Sequence, residues 1–241
     1  MANLQIIIQA RMTSTRLPGK VMLPLLDVTV LEVMINRLKD LASHVIIATT
    51  NDGSEQPIVN LCQRLNIRFY QGSTDDVLSR YFEAATHFGA DDETIILRLT
   101  SDCPLIDYDL TQDVIKKLEQ TTVDMASVGP HSGFPRGLDC CGFRYPSLKR
   151  THEVAQHPAD REHVTLGMSK FQDMVCYNIS AEEDLSHYRL TLDEPADYDA
   201  INAVYTKMGN HTNFSYQDLV NTLKKNPELY DINKHVEQKS V

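Results

Sequence analysis

Runs of β-branched and aliphatic residues alternate along the first hundred positions with stretches whose apolar side chains recur at three- and four-residue steps. Ile6-Ile7-Ile8 has the makings of a short buried strand, and residues 9–20, rich in Ser, Thr, Pro and Gly, read as a long loop. Leu31, Met34, Ile35, Leu38 and Leu41 then give a helix one apolar face. The alternation continues with a strand at 45–49, a helix at 55–65 and a strand at 67–70. A helix capped by Thr74 follows, with Val77, Leu78, Tyr81, Phe82 and Ala85 inward, and then a strand at 94–99. Parallel strands need crossover helices, so this pattern predicts an α/β fold with a mostly parallel, doubly wound sheet. Ligands bind beyond the carboxyl ends of such strands, so the loops starting at Gln9, Thr50, Gln71 and Thr100 are expected to share one rim.

Beyond Asp107, a candidate helix cap, the pattern becomes mixed: a helix at 110–120, a strand at 123–128, a Gly/Pro-rich loop, and strands near 139–143 and 174–178. Cys140 and Cys141 are adjacent in a strand-like segment and should point to opposite faces, packing rather than binding metal. Residues 185–192 are expected to return to the site before a helix at 195–208, and the stretch after Pro227 is patterned weakly enough to fray.

A chain of 241 residues suits one domain, with its alternating part at 1–106, its mixed part at 107–210, and a C-terminal helix and tail at 211–241. The formal charge of −10 argues against an extended nucleic-acid surface, which needs a basic footprint, but a small anion needs only a local cluster of cations. Five scattered cysteines without a Cys-x-x-Cys pair suit a reducing compartment. No apolar run reaches membrane-spanning length and the short N-terminal one lacks a signal peptide's basic flank, so the expected location is cytoplasmic.

Three constellations carry chemistry. Residues 9–20 place Arg11, Arg16 and Lys20 among hydroxyls directly after a strand, where Arg forks, a Lys point charge and backbone N–H groups can wrap a polyphosphate. The spacing is not that of a Walker A loop, and a merely solvated basic loop is the alternative. Asp102 follows a buried strand and precedes Pro104, which suits a hard cation or, equally well in residue type, a turn or helix cap. Asp193 repeats the design before Pro195, with an N-cap as its alternative role. Two carboxylates can hold Mg²⁺ against nucleotide phosphates, offsetting charge on a departing pyrophosphate.

The stretch Ile7-Ile8-Gln9-Ala10-Arg11 with Ser14-Thr15-Arg16-Leu17-Pro18-Gly19-Lys20 resembles the N-terminal signature of the sugar cytidylyltransferases, which include CMP-Kdo and CMP-acylneuraminate synthetases. Gln9 where those synthetases usually carry Pro, together with Gly72-Ser73-Thr74-Asp75-Asp76-Val77-Leu78-Ser79-Arg80-Tyr81, is similar to the SpsF-like branch named from spore coat polysaccharide biosynthesis. The likeness runs from about residue 4 to 205. It implies a nucleotide-diphospho-sugar transferase (GT-A-like) fold, usually dimeric, joining CTP to an acidic sugar of the 3-deoxy-ulosonic or nonulosonic type, with residues 1–106 as the nucleotide-binding half and 107–210 as the sugar-binding and dimerisation half. Gln9, Ala10, Arg11, Ser14, Arg16, Lys20, Ser73 and Asp75 are then the nucleotide-binding candidates. Asp102 and Asp193 are the Mg²⁺ ligands, and Arg11, Lys20 and Asp102 are the catalytic candidates. Arg136, Asp139, Glu162 and His163 stand on the sugar side, where an Arg-Glu-His network pinning a loop or a dimer contact is the competing reading. The rival function is a GT-A-type glycosyltransferase, which usually holds its metal through an Asp-x-Asp pair; Asp107-Tyr108-Asp109 has that spacing but begins a helix.

Overall fold

The computed structural model describes residues 3–238. Strand β1 (Leu4–Gln9) leads through the long loop to a two-stranded hairpin, β2 (Pro24–Leu25) and β3 (Val28–Thr29), and to helix α1 (Val30–Arg37). Then come β4 (Val45–Thr50), α2 (Gln56–Leu65), β5 (Arg68–Gly72), α3 (Val77–His87) and β6 (Ile95–Thr100). The second half runs α4 (Tyr108–Gln120), β7 (Met125–Val128), β8 (Cys140–Arg144), α5 (Tyr145–Val154), α6 (Pro158–Glu162), α7 (Thr165–Met168) and β9 (Cys176–Asn178). Three helices close the chain: α8 (Pro195–Lys207), α9 (Tyr216–Lys225) and α10 (Glu228–Asn233).

Seven strands form one sheet in the order β5-β4-β1-β6-β8-β7-β9. The first four are mutually parallel, β8 runs against both β6 and β7, and β9 is parallel to β7. The mostly parallel sheet expected from the alternation is therefore present. Its strands β5, β4, β1 and β6 end at Gly72, Thr50, Gln9 and Thr100, so the four loops do share a rim.

Side chains alternate across each strand, which splits the core into two layers. Ile6, Ile8, Ile47 and Leu97 face α1, α4 and α8, whereas Ile7, Ile46, Ile96 and Phe143 face α3 and α5. All eight are fully buried, each worth roughly 1.5–3 kcal/mol relative to exposure. Cys140 joins the first layer and Cys141 packs on the second, as strand alternation requires. Among the described residues no helix is long and apolar enough to cross a membrane.

Several boundaries differ from the sequence reading. Helix α1 stops at Arg37, and Leu41 keeps its burial from a 3₁₀ turn, Lys39–His44, entered through Lys39 at φ 53°. Asp76, not Thr74, caps α3, its Oδ1 accepting from Ser79 N at 3.0 Å, while Thr74 donates to Asp52. Asp107 does cap α4, accepting from Leu110 N at 3.0 Å. The segment 158–168 is two short helices broken at Val164, φ 44°. The described residues after Pro227 form a docked helix where a frayed stretch was expected: α10 packs on α8 and buries Leu229 and Asn233. Residues 239–241 of that tail lie outside the described part.

Gly142 in β8 lies between Leu97 and Ala126 in the sheet, beneath α4. A Cβ there would stand 2.7 Å from both Leu118 Cδ1 and Leu97 Cδ2 and 2.9 Å from Val114 Cγ1. Gly142→Ala should therefore overpack the first core layer and destabilise the fold by about 1–3 kcal/mol, read from the urea midpoint of wild type and variant.

Candidate active site

The loop after β1 folds back on itself. Ser14 N and Gly19 N both donate to Met12 O, at 3.0 and 2.9 Å, and Gly19 takes the left-handed conformation (φ 67°) that turns the chain toward Lys20. Val21 is buried directly afterwards, so the lysine leaves an anchored backbone. On the neighbouring strand β6, Ser101 N donates to Gln9 O and starts the turn that carries Asp102. Leu192 N donates to Asp102 O at 2.8 Å, and this tie brings the 188–193 segment alongside.

These three segments meet at the Lys20 ammonium. Its Nζ donates to Asp102 Oδ2 at 3.0 Å, to Asp193 Oδ1 at 2.9 Å and to the Leu192 carbonyl at 2.7 Å. Arg16 joins from the loop, its guanidinium 3.2 Å from both Asp193 and Glu194. Burial works to lower the Lys20 pKa, but the charges of Asp102 and Asp193 outweigh it and leave the ammonium more firmly protonated than usual. Burial likewise works to raise Asp193, and Lys20, Arg16 and Arg189 together hold it below the ordinary carboxylate value.

Asp193 is not the helix cap. Glu194 occupies that position for α8, Pro195 begins the helix, and Asp197 accepts from the backbone N–H groups of Asp193 and Glu194 at 3.0 and 2.9 Å. The Asp193 side chain is thereby left to face the lysine. Arg189 supports it from behind, with a guanidinium nitrogen 3.1 Å from Asp193 Oδ2 and a two-pronged contact to buried Asp197. Arg189 and Asp197 were missed as site residues in the sequence. The signal for Asp197 was its place three residues after the cap, where a side chain can reach back to open backbone donors.

The remaining candidates lie at varying distances from this centre. Gln9 and Ala10 stand at the end of β1, and Gln9 Oε1 is buried without a partner. Arg11 is exposed and makes no side-chain hydrogen bond or ion pair among the described residues, although its charge is felt at Arg80. Ser14 lies half-buried in the folded-back loop. Ser73 accepts from Asp76 N, its carbonyl accepts from the buried Arg80, and Asp75 is exposed beside it. Asp139 accepts from Gly137 N at 2.7 Å; burial raises its pKa, the Asp102 charge adds to that, and Arg136 opposes it. Arg136 pairs by its backbone with the 188–190 segment, its N–H donating to Tyr188 O at 3.0 Å and its carbonyl accepting from Leu190 N at 2.7 Å.

Among the described residues, Glu162 and His163 are joined to none of these groups by a hydrogen bond or ion pair. The neighbouring Arg161 instead clasps Asp76 through two nitrogens at 2.8 and 2.6 Å and donates to Ser79 Oγ, pinning the loop that carries Ser73 and Asp75.

Over residues 5–207 the chain matches the sequence profile of the Cytidylyltransferase family. It belongs to that family. Similar to this cytidylyltransferase is the spore coat polysaccharide biosynthesis protein SpsF of Bacillus subtilis, 29% identical over 240 residues that span 95% of this chain and 97% of the other. The structure of a cytidylyltransferase from Leptospira borgpetersenii superposes over 100% of both chains, with a TM-score of 0.89 and 30% identity. A CMP:2-keto-3-deoxy-manno-octonic acid synthetase complexed with CTP shares the fold at a TM-score of 0.65 and 16% identity, over 86% of this chain and 100% of that one.

Whether a divalent cation fits this cytidylyltransferase can be judged from its donors. Among the described residues no three His, Cys, Asp or Glu side chains gather as a metal cage. Two carboxylates and a backbone carbonyl do converge on one cationic point, the Lys20 nitrogen, and all of them are hard oxygen donors. Mg²⁺ characteristically takes one or two carboxylates and completes its shell with water and substrate phosphate, so the set fits it.

The ion pairs set a sign for pH dependence. Asp193 has a depressed folded-state pKa, so its contribution to stability is present above its unfolded value and is lost as pH falls through the folded one. Wild type should therefore lose thermal stability on acidification below about pH 4 more steeply than Asp193→Asn, and the gap between their melting temperatures should narrow from pH 6 to pH 3.

Proposed function

We propose that this cytidylyltransferase transfers CMP from CTP to the anomeric hydroxyl of an acidic sugar for a surface polysaccharide or glycan. The observation that carries the reading is the convergence of Lys20 with Asp102 and Asp193 at the carboxyl ends of β1 and β6. A dinucleotide site would call for a Gly-rich fingerprint, and a glycosyltransferase usually presents an Asp-x-Asp metal pair. Asp107, the first carboxylate of the pair with that spacing, is buried as a helix cap 3.8 Å from Arg37 and faces the core.

In this reading CTP lies across the rim with its phosphates toward residues 11–20. The sugar hydroxyl oxygen attacks the α-phosphorus, the bond from that phosphorus to the bridging oxygen of the β-phosphate breaks, the hydroxyl proton passes to solvent water, and pyrophosphate leaves. Arg16 and Lys20 meet the leaving phosphates from one side, and Arg11, exposed and unpaired among the described residues, is available for the outer ones. Mg²⁺, held by Asp102 and Asp193, would neutralise phosphate charge and make the sugar hydroxyl more acidic. Lys20 changes partners in this scheme: an ammonium that rests between two aspartates has triphosphate oxygens as equally good acceptors. Asp139 and Arg136 would serve the sugar in this reading, a half-buried acceptor for a hydroxyl and a cation for the carboxylate. The relationship to SpsF supports a product destined for a polysaccharide.

Pyrophosphate release measured with CTP, ATP, GTP and UTP against a panel of 3-deoxy-ulosonic and nonulosonic acids tests the reading. CTP with one of these acids should give release, and release from a nucleotide-sugar of a nucleoside diphosphate instead would sink it. Lys20→Ala should lower turnover by about 10²–10³ while far-UV circular dichroism stays that of wild type at room temperature. Loss of the fold in that variant would mark the lysine as structural.

A further inference from the structure

Helix α10 lies beyond residue 207, where the family match ends, yet it reaches the groups that hold Asp193. Asn233, 3% exposed, uses its side-chain amide twice: Nδ2 donates to the Arg189 carbonyl and to Asp197 Oδ1, both at 2.9 Å. Asp197 is itself fully buried and accepts from five donors: Arg189 Nε and Nη2, Asn233 Nδ2, and the backbone N–H groups of Asp193 and Glu194. Arg189 is also in contact with Asp193 Oδ2. A continuous chain of charge-assisted hydrogen bonds thus runs from the C-terminal helix to a carboxylate that faces Lys20. The same Arg189 donates to the Gln238 side-chain oxygen, a second tie to the end of the described chain.

We propose that Asn233 is a positioning residue for Asp193, and that α10 is in this way a working part of the active site. The inference rests on the reading of Asp193 as a nucleotide- and cation-handling carboxylate. Its physical basis is that a buried carboxylate with every lone pair taken has one low-energy placement, and that placement orients the peptide of Asp193 through two N–H groups. Removing the amide leaves both Asp197 and the Arg189 carbonyl short of a donor. The pair then relaxes, and the Asp193 carboxylate moves with it. Displacements of an ångström at a reacting centre cost large factors in rate.

The experiment compares Asn233→Leu, which keeps side-chain bulk but removes the donors, with Leu229→Ala, which loosens the packing of the same helix and leaves the donors in place. Thermal melting, kcat and KM for CTP, and Mn²⁺ affinity in the presence of CTP by electron paramagnetic resonance are measured on the full chain. Asn233→Leu should lower kcat about tenfold and weaken Mn²⁺ binding by a similar factor. Leu229→Ala should lower the melting temperature at least as much while keeping both within about twofold. Equal loss of kcat in the two variants would reduce Asn233 to a packing role and overturn the proposal, as would wild-type kcat and Mn²⁺ binding in Asn233→Leu. Should wild type release no pyrophosphate from CTP with any acid, the functional reading fails separately. Crystal structures of wild type and Asn233→Leu then decide the placement: an Asp193 carboxylate within about 3.5 Å of Lys20 Nζ in both would overturn the proposal.

Discussion

One ammonium between two carboxylates organises this molecule. Lys20 lies 82 residues from Asp102 and 173 from Asp193, and all three side chains are at least three-quarters buried. A lone carboxylate in that place would be expensive to desolvate, and two of them together would repel. The lysine makes their proximity tolerable, and the fold is arranged to deliver it: parallel β1 and β6 end side by side, one carrying the basic loop and the other the Asp102 turn. The Leu192–Asp102 backbone bond closes the third side.

The parallel half of the sheet was legible because its signals were strong and redundant. Runs such as Ile6-Ile7-Ile8 have one favourable use in a soluble protein, and four such runs between amphipathic helices leave few topologies. Lys20, Arg16, Asp102 and Asp193 could be singled out by residue type at strand ends, and the structure brings these four together. What the sequence hid was structure whose stability is tertiary. Helices of four to six residues, such as α7 and α10, are too short to form on propensity and exist only because they dock, so no local pattern announces them. The same holds for Asn233, whose importance lies wholly in what it touches from another part of the chain. Thr74 was a sound cap by type, but Asp76 lies closer to the helix and is gripped by Arg161, a contact across 85 residues.

The charge distribution follows from the same economy. A net charge of −10 sits on a protein whose rim gathers Arg11, Arg16 and Lys20 within ten residues. Two of those cations are already neutralised by protein carboxylates, and Arg11 alone of the three has no partner among the described residues. The rim is therefore poised rather than strongly basic, which discriminates against long polyanions and leaves exchange of partners as the way to admit a small one.

The two sides of the site also cannot move independently. Gly137 adopts φ 103°, and a Cβ at that position would stand 2.4 Å from the Leu190 carbonyl carbon, so the 136–139 loop lies hard against the 188–193 segment. The paired backbone bonds between Arg136 and residues 188 and 190 keep it there, and Asp139 is fixed in turn by accepting from Gly137 N. Any displacement of Asp193 along its segment therefore carries toward Asp139, and any shift of the 136–139 loop carries back toward the Lys20 centre. Close backbone packing of this kind transmits strain because it has no soft side chain to absorb it. The geometry thus makes the placement of the 136–139 loop and that of the carboxylates a single mechanical property, held at one end by Lys20 and at the other by α10, the last helix of the described chain.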